Sequence, residues 1–162
     1  MVKGFSPTQI ALHWGVGLLI IYQLLMGDDM THQWFATRDG SATGTSTGAW
    51  IHIIAGSTVL VLVTWRLTLR YTRGVPAAPP GESRALTLAG EAGHVLLYVL
   101  MIGLPVTGLL AWFGGVSVLA DLHGGILKVL LWLVIIGHVL AAVYHHFILK
   151  DGLLNRMRKA LD

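Results

Sequence analysis

An all-α integral membrane bundle of four helices is the fold this sequence predicts, and three observations predict it. Of the 162 residues, 54% are apolar and only 12% are charged, whereas an ordinary soluble domain is about 25% charged. Four apolar segments run through the chain, each long enough at about 1.5 Å per residue to cross a hydrocarbon core of about 30 Å. The Lys and Arg residues collect on one side once those segments alternate in direction. A chain of this length holds four spans and their connections, so residues 1–162 are expected to form a single membrane domain.

The first segment, 8–26, runs into Gly27-Asp28-Asp29 without the small-x-small pattern of a cleavage site, so it is expected to stay as an anchor. Residues 27–48, rich in Gly, Ser, Thr and Asp, read as a loop by composition. The second span covers 50–69. The connection 73–86 carries Pro76, Pro79 and Pro80. The third span, 92–113, contains Pro105, which is expected to kink it, as membrane bundles tolerate. A short connection, 114–122, precedes the fourth span, 126–149, and residues 151–162 read as a short basic amphipathic tail.

With alternating spans, Lys3, Arg66, Arg70, Arg73, Arg84, Lys150, Arg156, Arg158 and Lys159 share one side, and only Arg38 and Lys128 lie near the other. The positive-inside rule then places both termini and the Pro-rich connection on the cytoplasmic side of the membrane. The formal charge of +3 does not signal nucleic acid, because the basic residues sit beside hydrophobic segments rather than in a patch with exposed aromatics. There is no cysteine, which excludes disulfides, thiolate nucleophiles, iron–sulfur clusters and covalent c-type haem. Trp34, Trp50, Trp112 and Tyr71 are expected in interfacial belts.

Eight histidines in so apolar a chain are the informative feature, since ionisable residues inside a span are costly and point to function. One intramembrane His alone is as readily a polar group bonded to a neighbouring helix; several at matching depths are not. Counting from the helix ends puts His13 in the half of the first span nearer the termini and His52 at the far end of the second. His123 and His138 lie at the far end and deeper in the fourth. The last two are 15 residues apart, about 22 Å along a regular helix and about 60° in rotation, so both can face the interior. Two sites therefore stack across the membrane, His13 with His138 and His52 with His123.

Facing neutral imidazoles suit an iron porphyrin held axially from both sides, and two such sites predict two b-type haems. Gly15, Gly17, Gly56, Gly124, Gly125 and Gly137 would give the porphyrin faces room, although such glycines also serve close helix packing. Arg66 and Arg70 are candidates to meet haem propionates, or else they snorkel on the positive side. His145, about 20° round from His138 and about 10 Å nearer the cytoplasm, suits proton delivery to a quinone, or else caps the helix end. His94, near the start of the third span, rivals His13 for the axial role or serves as a donor behind the ligands.

These stretches resemble the bacterial cytochrome b561 family, small four-helix quinone-linked cytochromes that include superoxide oxidase. The resemblance rests on Gln9-Ile10-Ala11-Leu12-His13-Trp14, on Ile51-His52 with Gly56 and Arg66, on Gly93-His94 through Tyr98 to Leu104-Pro105-Val106-Thr107-Gly108, and on His138 through His145-His146-Phe147 to Asp151-Gly152. It implies His13, His52, His123 and His138 as haem ligands, a quinone site near His145 and a non-axial His94. Two departures accompany it. The His123 to His138 spacing is one residue longer than the usual pattern, so that either a π-bulge absorbs the extra residue or the outer ligand is placed differently. The connection 114–122 is also shorter than in relatives with elaborated outer loops.

The expected activity is electron transfer between an outer-face donor, with superoxide as the candidate, and ubiquinone, which makes the chain a superoxide:quinone oxidoreductase embedded in lipid. Lys128, five residues after His123, is the candidate to attract the anion. Asp28, Asp29, Asp39 and Asp121 oppose it on that side. Two other readings are a membrane anchor cytochrome linking a partner redox protein to quinone and a His-lined metal transporter, for which acidic residues would be expected inside the spans.

Overall fold

The structure is a computed structural model and describes residues 4–160; Lys3 and the last two residues of the basic tail lie outside the described residues. Helix α1, Pro7–Leu25, opens with a reciprocal cap. Ser6 Oγ accepts from the Gln9 N–H at 3.2 Å, Gln9 Oε1 accepts from the Ser6 N–H at 3.0 Å, and Pro7 occupies the first turn, where its missing donor costs nothing.

Residues 27–48 are not simply a loop. They contain α2, Asp28–Arg38, whose first turn carries Asp28 and Asp29 and whose last carries Arg38, charges that complement the helix dipole. The buried Gln33 ties it down, donating to the Gly44 carbonyl at 2.8 Å and accepting from the Ser46 N–H at 2.8 Å. Ser46 in turn caps α3, Thr47–Thr72. Thr58, Thr64, Thr68 and Thr72, all exposed on α3, each return their hydroxyl to the carbonyl four residues back, at 2.8–2.9 Å. No hydroxyl hydrogen of that row is left to the lipid.

Helix α4, Arg84–Gly114, starts eight residues before the expected 92, under a Ser83 cap, and stops at Gly115 in the left-handed region (φ 69°). Pro105 lies inside this helix, which runs on through it. The fourth span, Ser117–Leu149, also starts earlier than expected, leaving residues 115 and 116 as the connection. It is built from α5, Ser117–Leu122, a π turn at His123–Leu127, α6, Lys128–Tyr144, and a second π turn at His145–Leu149. The chain closes through left-handed Lys150 and Gly152 into a 3-10 turn, Leu153–Met157.

The protein is thus an all-α membrane bundle with four helices long and apolar enough to cross a bilayer. Backbones pack closely along the pairs α1 and α3, α3 and α4, and α4 and α6, while α1 and α6 approach only sparsely. The central core is thin, formed by Val16 and Ile20 of α1, Val59 and Val63 of α3, Leu100 and Leu104 of α4, and Leu131 of α6. Large apolar side chains point outward, Leu18 being 71% exposed and Val61 66%, as a lipid-facing surface requires.

Side chains knit the end of the bundle that carries the termini. Gln9 Nε2 donates to the Gly74 carbonyl at 3.2 Å and Arg66 Nη1 to the Gln9 carbonyl at 2.9 Å. Trp14 Nε1 donates to the Met157 carbonyl at 2.9 Å, and Arg156 Nη1 to the Ala77 carbonyl at 2.6 Å.

Candidate functional site

The fold pairs the histidines in the combination that depth counting predicts. His13 of α1 and His138 of α6 have ring centroids 6.1 Å apart, and His52 of α3 and His123 of the π turn are also 6.1 Å apart. Two metal–nitrogen bonds of about 2 Å each, with the ring radii beyond them, would set centroids about 6 Å apart. Both pairs therefore already stand at the separation a shared axial iron needs. The sparse approach of α1 to α6 has the same sense, because a planar group between helices excludes backbone contact there.

His123 Nδ1 lies 2.8 Å from the Leu104 carbonyl, which can only accept, so the ring proton is on Nδ1 and Nε2 presents its lone pair. Gly108 makes room for that ring: a Cβ there would stand 2.9 Å from His123 Cε1. Around Gly15, Gly17, Gly124, Gly125 and Gly137 an added Cβ would meet nothing within 4 Å. These five glycines therefore do not serve close helix packing, and Gly17, Gly124, Gly125 and Gly137 are exposed. Gly56 differs, because a Cβ on it would stand 2.9 Å from Gln23 Nε2.

Beside His52 and His123 lies a cavity of about 440 Å³, within the range of small-molecule and cofactor sites, whose wall also includes Lys128, Gly124 and Gly125. Trp34 and Trp112 line it too, with rings 6.3 Å apart. Helix α2, absent from the sequence expectation, is what brings Trp34 to this cavity. Trp50 and Tyr71 do remain exposed, at 45% and 81%. The helical angle of about 60° expected between His123 and His138 presumed an unbroken α-helix; the π turn and the non-helical Gly125 (φ −99°, ψ −110°) intervene.

Near the termini, His94 stands 5.5 Å from His138, nearer than His13 at 6.1 Å. Arg66 lies within electrostatic range of His13, His94 and His138, and Arg70 of His94. The Arg66 guanidinium is anchored on the Gln9 carbonyl at 2.9 Å, in the first turn of α1. His145 is buried, and its Nδ1 is 2.5 Å from Asp151 Oδ2. Partial burial raises the Asp151 pKa, but the hydrogen bonds from His145 and the Leu153 N–H outweigh it and hold the carboxyl below its ordinary value. Sequence reasoning missed Gln23, the cavity-lining role of Trp34 and the pairing of His145 with Asp151. Among the described residues, no group of three or more His, Asp or Glu is arranged to hold a bare metal ion.

Paired imidazoles at these separations, half-buried between the helices of a four-span bundle with a cavity beside one pair, fit an iron porphyrin and define the architecture of a haem-carrying membrane cytochrome. The family model described as "Prokaryotic cytochrome b561" matches residues 4–160, and the chain belongs to that family. It is 32% identical over 158 residues to "Cytochrome b562" of Cereibacter sphaeroides, covering 96% of both chains. It is 31% identical over 180 residues to "Probable superoxide oxidase CybB" of Yersinia pestis, covering 97% of both, and 29% identical over 177 residues to "Cytochrome b561 homolog 1" of Escherichia coli, covering 94% of this chain and 96% of that one. The protein is accordingly a bacterial membrane cytochrome that uses b haem and transfers electrons.

Proposed function

We propose that this single membrane domain carries two b haems, one between His13 and His138 and one between His52 and His123, and passes electrons from a small donor on the side opposite the termini to ubiquinone near the terminal side. The matched 6.1 Å separation of both histidine pairs carries this reading. When bound, each haem supplies one-electron redox chemistry. The residues supply the rest. His123 keeps its tautomer through the Leu104 carbonyl, Arg66 and Arg70 provide positive charge for propionates, and His94 stands behind His138. His145, its Nδ1 held against Asp151 Oδ2, is the residue that relays the protons quinone reduction consumes. The basic side holds both termini and is the cytoplasmic one by the positive-inside rule.

Superoxide is the donor we assign. Two superoxide anions would give up one electron each and leave as dioxygen, while one quinone takes both electrons and two protons to become quinol. Lys128 in the wall of the His52–His123 cavity gives the site a cation for the incoming anion, and the likeness to the Yersinia pestis protein supports the choice. Alanine at His52 or His123 is expected to remove one haem and spare the other, and alanine at His13 or His138 to do the converse. Absorption spectra and haem-to-protein ratios read this out, and a ratio of one in the unaltered protein would overturn the two-site reading. Stopped-flow mixing of superoxide with quinone-loaded protein should show fast haem reduction that salt and Lys128→Ala both slow. Haems that ignore superoxide but accept electrons from quinol would mark the chain as an anchor for a partner redox protein.

A further inference from the structure

Gln23 of α1 and His52 of α3 meet inside the bundle. Gln23 Nε2 donates to the His52 carbonyl at 2.9 Å. The side chain occupies space that Gly56, one turn on from His52, leaves free, since a Cβ on Gly56 would stand 2.9 Å from that same nitrogen. The other end of the amide, Oε1, is buried without a hydrogen-bond partner, and so is Nδ1 of His52. Buried polar atoms without partners are rare because water has been given up for nothing. Here two occur on one residue pair, and they are complementary, an acceptor and a ring nitrogen that can carry a proton.

The partner across the pair shows what is missing. His123 donates its Nδ1 proton to the Leu104 carbonyl, whereas His52 has no acceptor of its own. Resting on the reading that His52 holds iron through Nε2, we propose that Gln23 Oε1, which makes no bond to His52 Nδ1 in this structure, accepts the Nδ1–H once the haem fixes the ring, and that Gln23 is the positioning residue of the haem on the side opposite the termini. The bond would fix the tautomer in which Nε2 is free for iron and hold the ring plane steady. It would also raise the basicity of the imidazole, which favours ferric over ferrous iron and so lowers the midpoint potential of that haem. A neutral amide does this without placing a charge inside the membrane, where one would be costly.

The test compares Gln23→Met, which removes the acceptor at nearly constant volume, with Gly56→Ala, which displaces the amide but keeps its chemistry. Both are made in the full-length haem-loaded protein, and redox titration with visible and EPR spectra follows each haem separately. Both variants are expected to raise the midpoint potential of the His52–His123 haem and shift its low-spin ferric EPR signature, with the other haem unmoved. A tenfold change in its reduction equilibrium corresponds to about 59 mV for one electron. If Gln23→Met loses that haem, Gly56→Ala decides alone: a raised potential supports the proposal and an unchanged one overturns it. Unchanged potentials with both haems retained, or equal shifts at both haems, also overturn it. His52→Ala separates this from the underlying reading, because a variant that keeps both haems shows that His52 is not a ligand at all.

Discussion

Asp151 does two jobs with two oxygens. Oδ2 takes the His145 Nδ1 proton and Oδ1 accepts from the Leu153 N–H at 3.0 Å, so one carboxylate joins the end of the fourth span to the 3-10 turn. Because its pKa is held below the ordinary 3.8, its contribution is present in full above the unfolded carboxylate value and is lost as pH falls through the lower folded value. Hydrogen exchange over residues 145–157 should therefore stay slow at neutral pH and quicken only below about pH 4. Asp151→Asn should make exchange fast at every pH, and an unchanged acid profile in that variant would exclude the carboxylate as the clasp. At this scale the histidine pairs were legible in the sequence, because depth in a span follows from counting. Gln23 was not, since a lone Gln in an apolar segment says nothing of the neighbouring helix it will meet.

The π turn at His123–Leu127 gives the element scale its sharpest prediction. A π turn is one residue inserted into an α-helix, and removing that residue restores regular bonding without turning the helix on either side. Deleting Gly125 should therefore leave both haems bound, whereas deleting Leu133 from the regular α6 should rotate one half of the span by about 100° against the other and cost at least one haem. Haem content and spectra distinguish the two. The four spans were legible because hydropathy alone marks them, and the extra residue between His123 and His138 announced that the fourth span needs either a bulge or a displaced ligand. Helix α2 was not legible. Its apolar residues Met30, Trp34 and Phe35 are scattered among Asp, Thr, His and Gln, and Gln33 ties it to the segment at Gly44 and Ser46 that leads into α3. The early start of α4 was missed because Arg84, Thr87 and Glu91 interrupt the apolar residues of its exposed first turns, and only the Ser83 cap marks them.

For the molecule as a whole, the thin core and the cavity of about 440 Å³ imply that the cofactor is part of the packing. A ligand that binds only the folded state stabilises it by mass action, by about 4 kcal/mol at a thousandfold excess over its dissociation constant. Haem-depleted protein in detergent should therefore melt well below the loaded form, by several degrees or more, and re-addition of haem should restore the loss. Tryptophan fluorescence on heating measures both, and equal melting of the two forms would show that the apoprotein packs without its cofactor. The two ends of the bundle are also fastened differently. Where the termini emerge, bonds from Gln9, Trp14, Arg66 and Arg156 fasten α1, the Pro-rich connection and the tail to one another, while Gln33 gathers the local loop at the far end. The consequence is mechanical. A force drawn along the C-terminal tail loads the Trp14–Met157 and Arg156–Ala77 bonds first, one after another like the teeth of a zip, before any span bears tension.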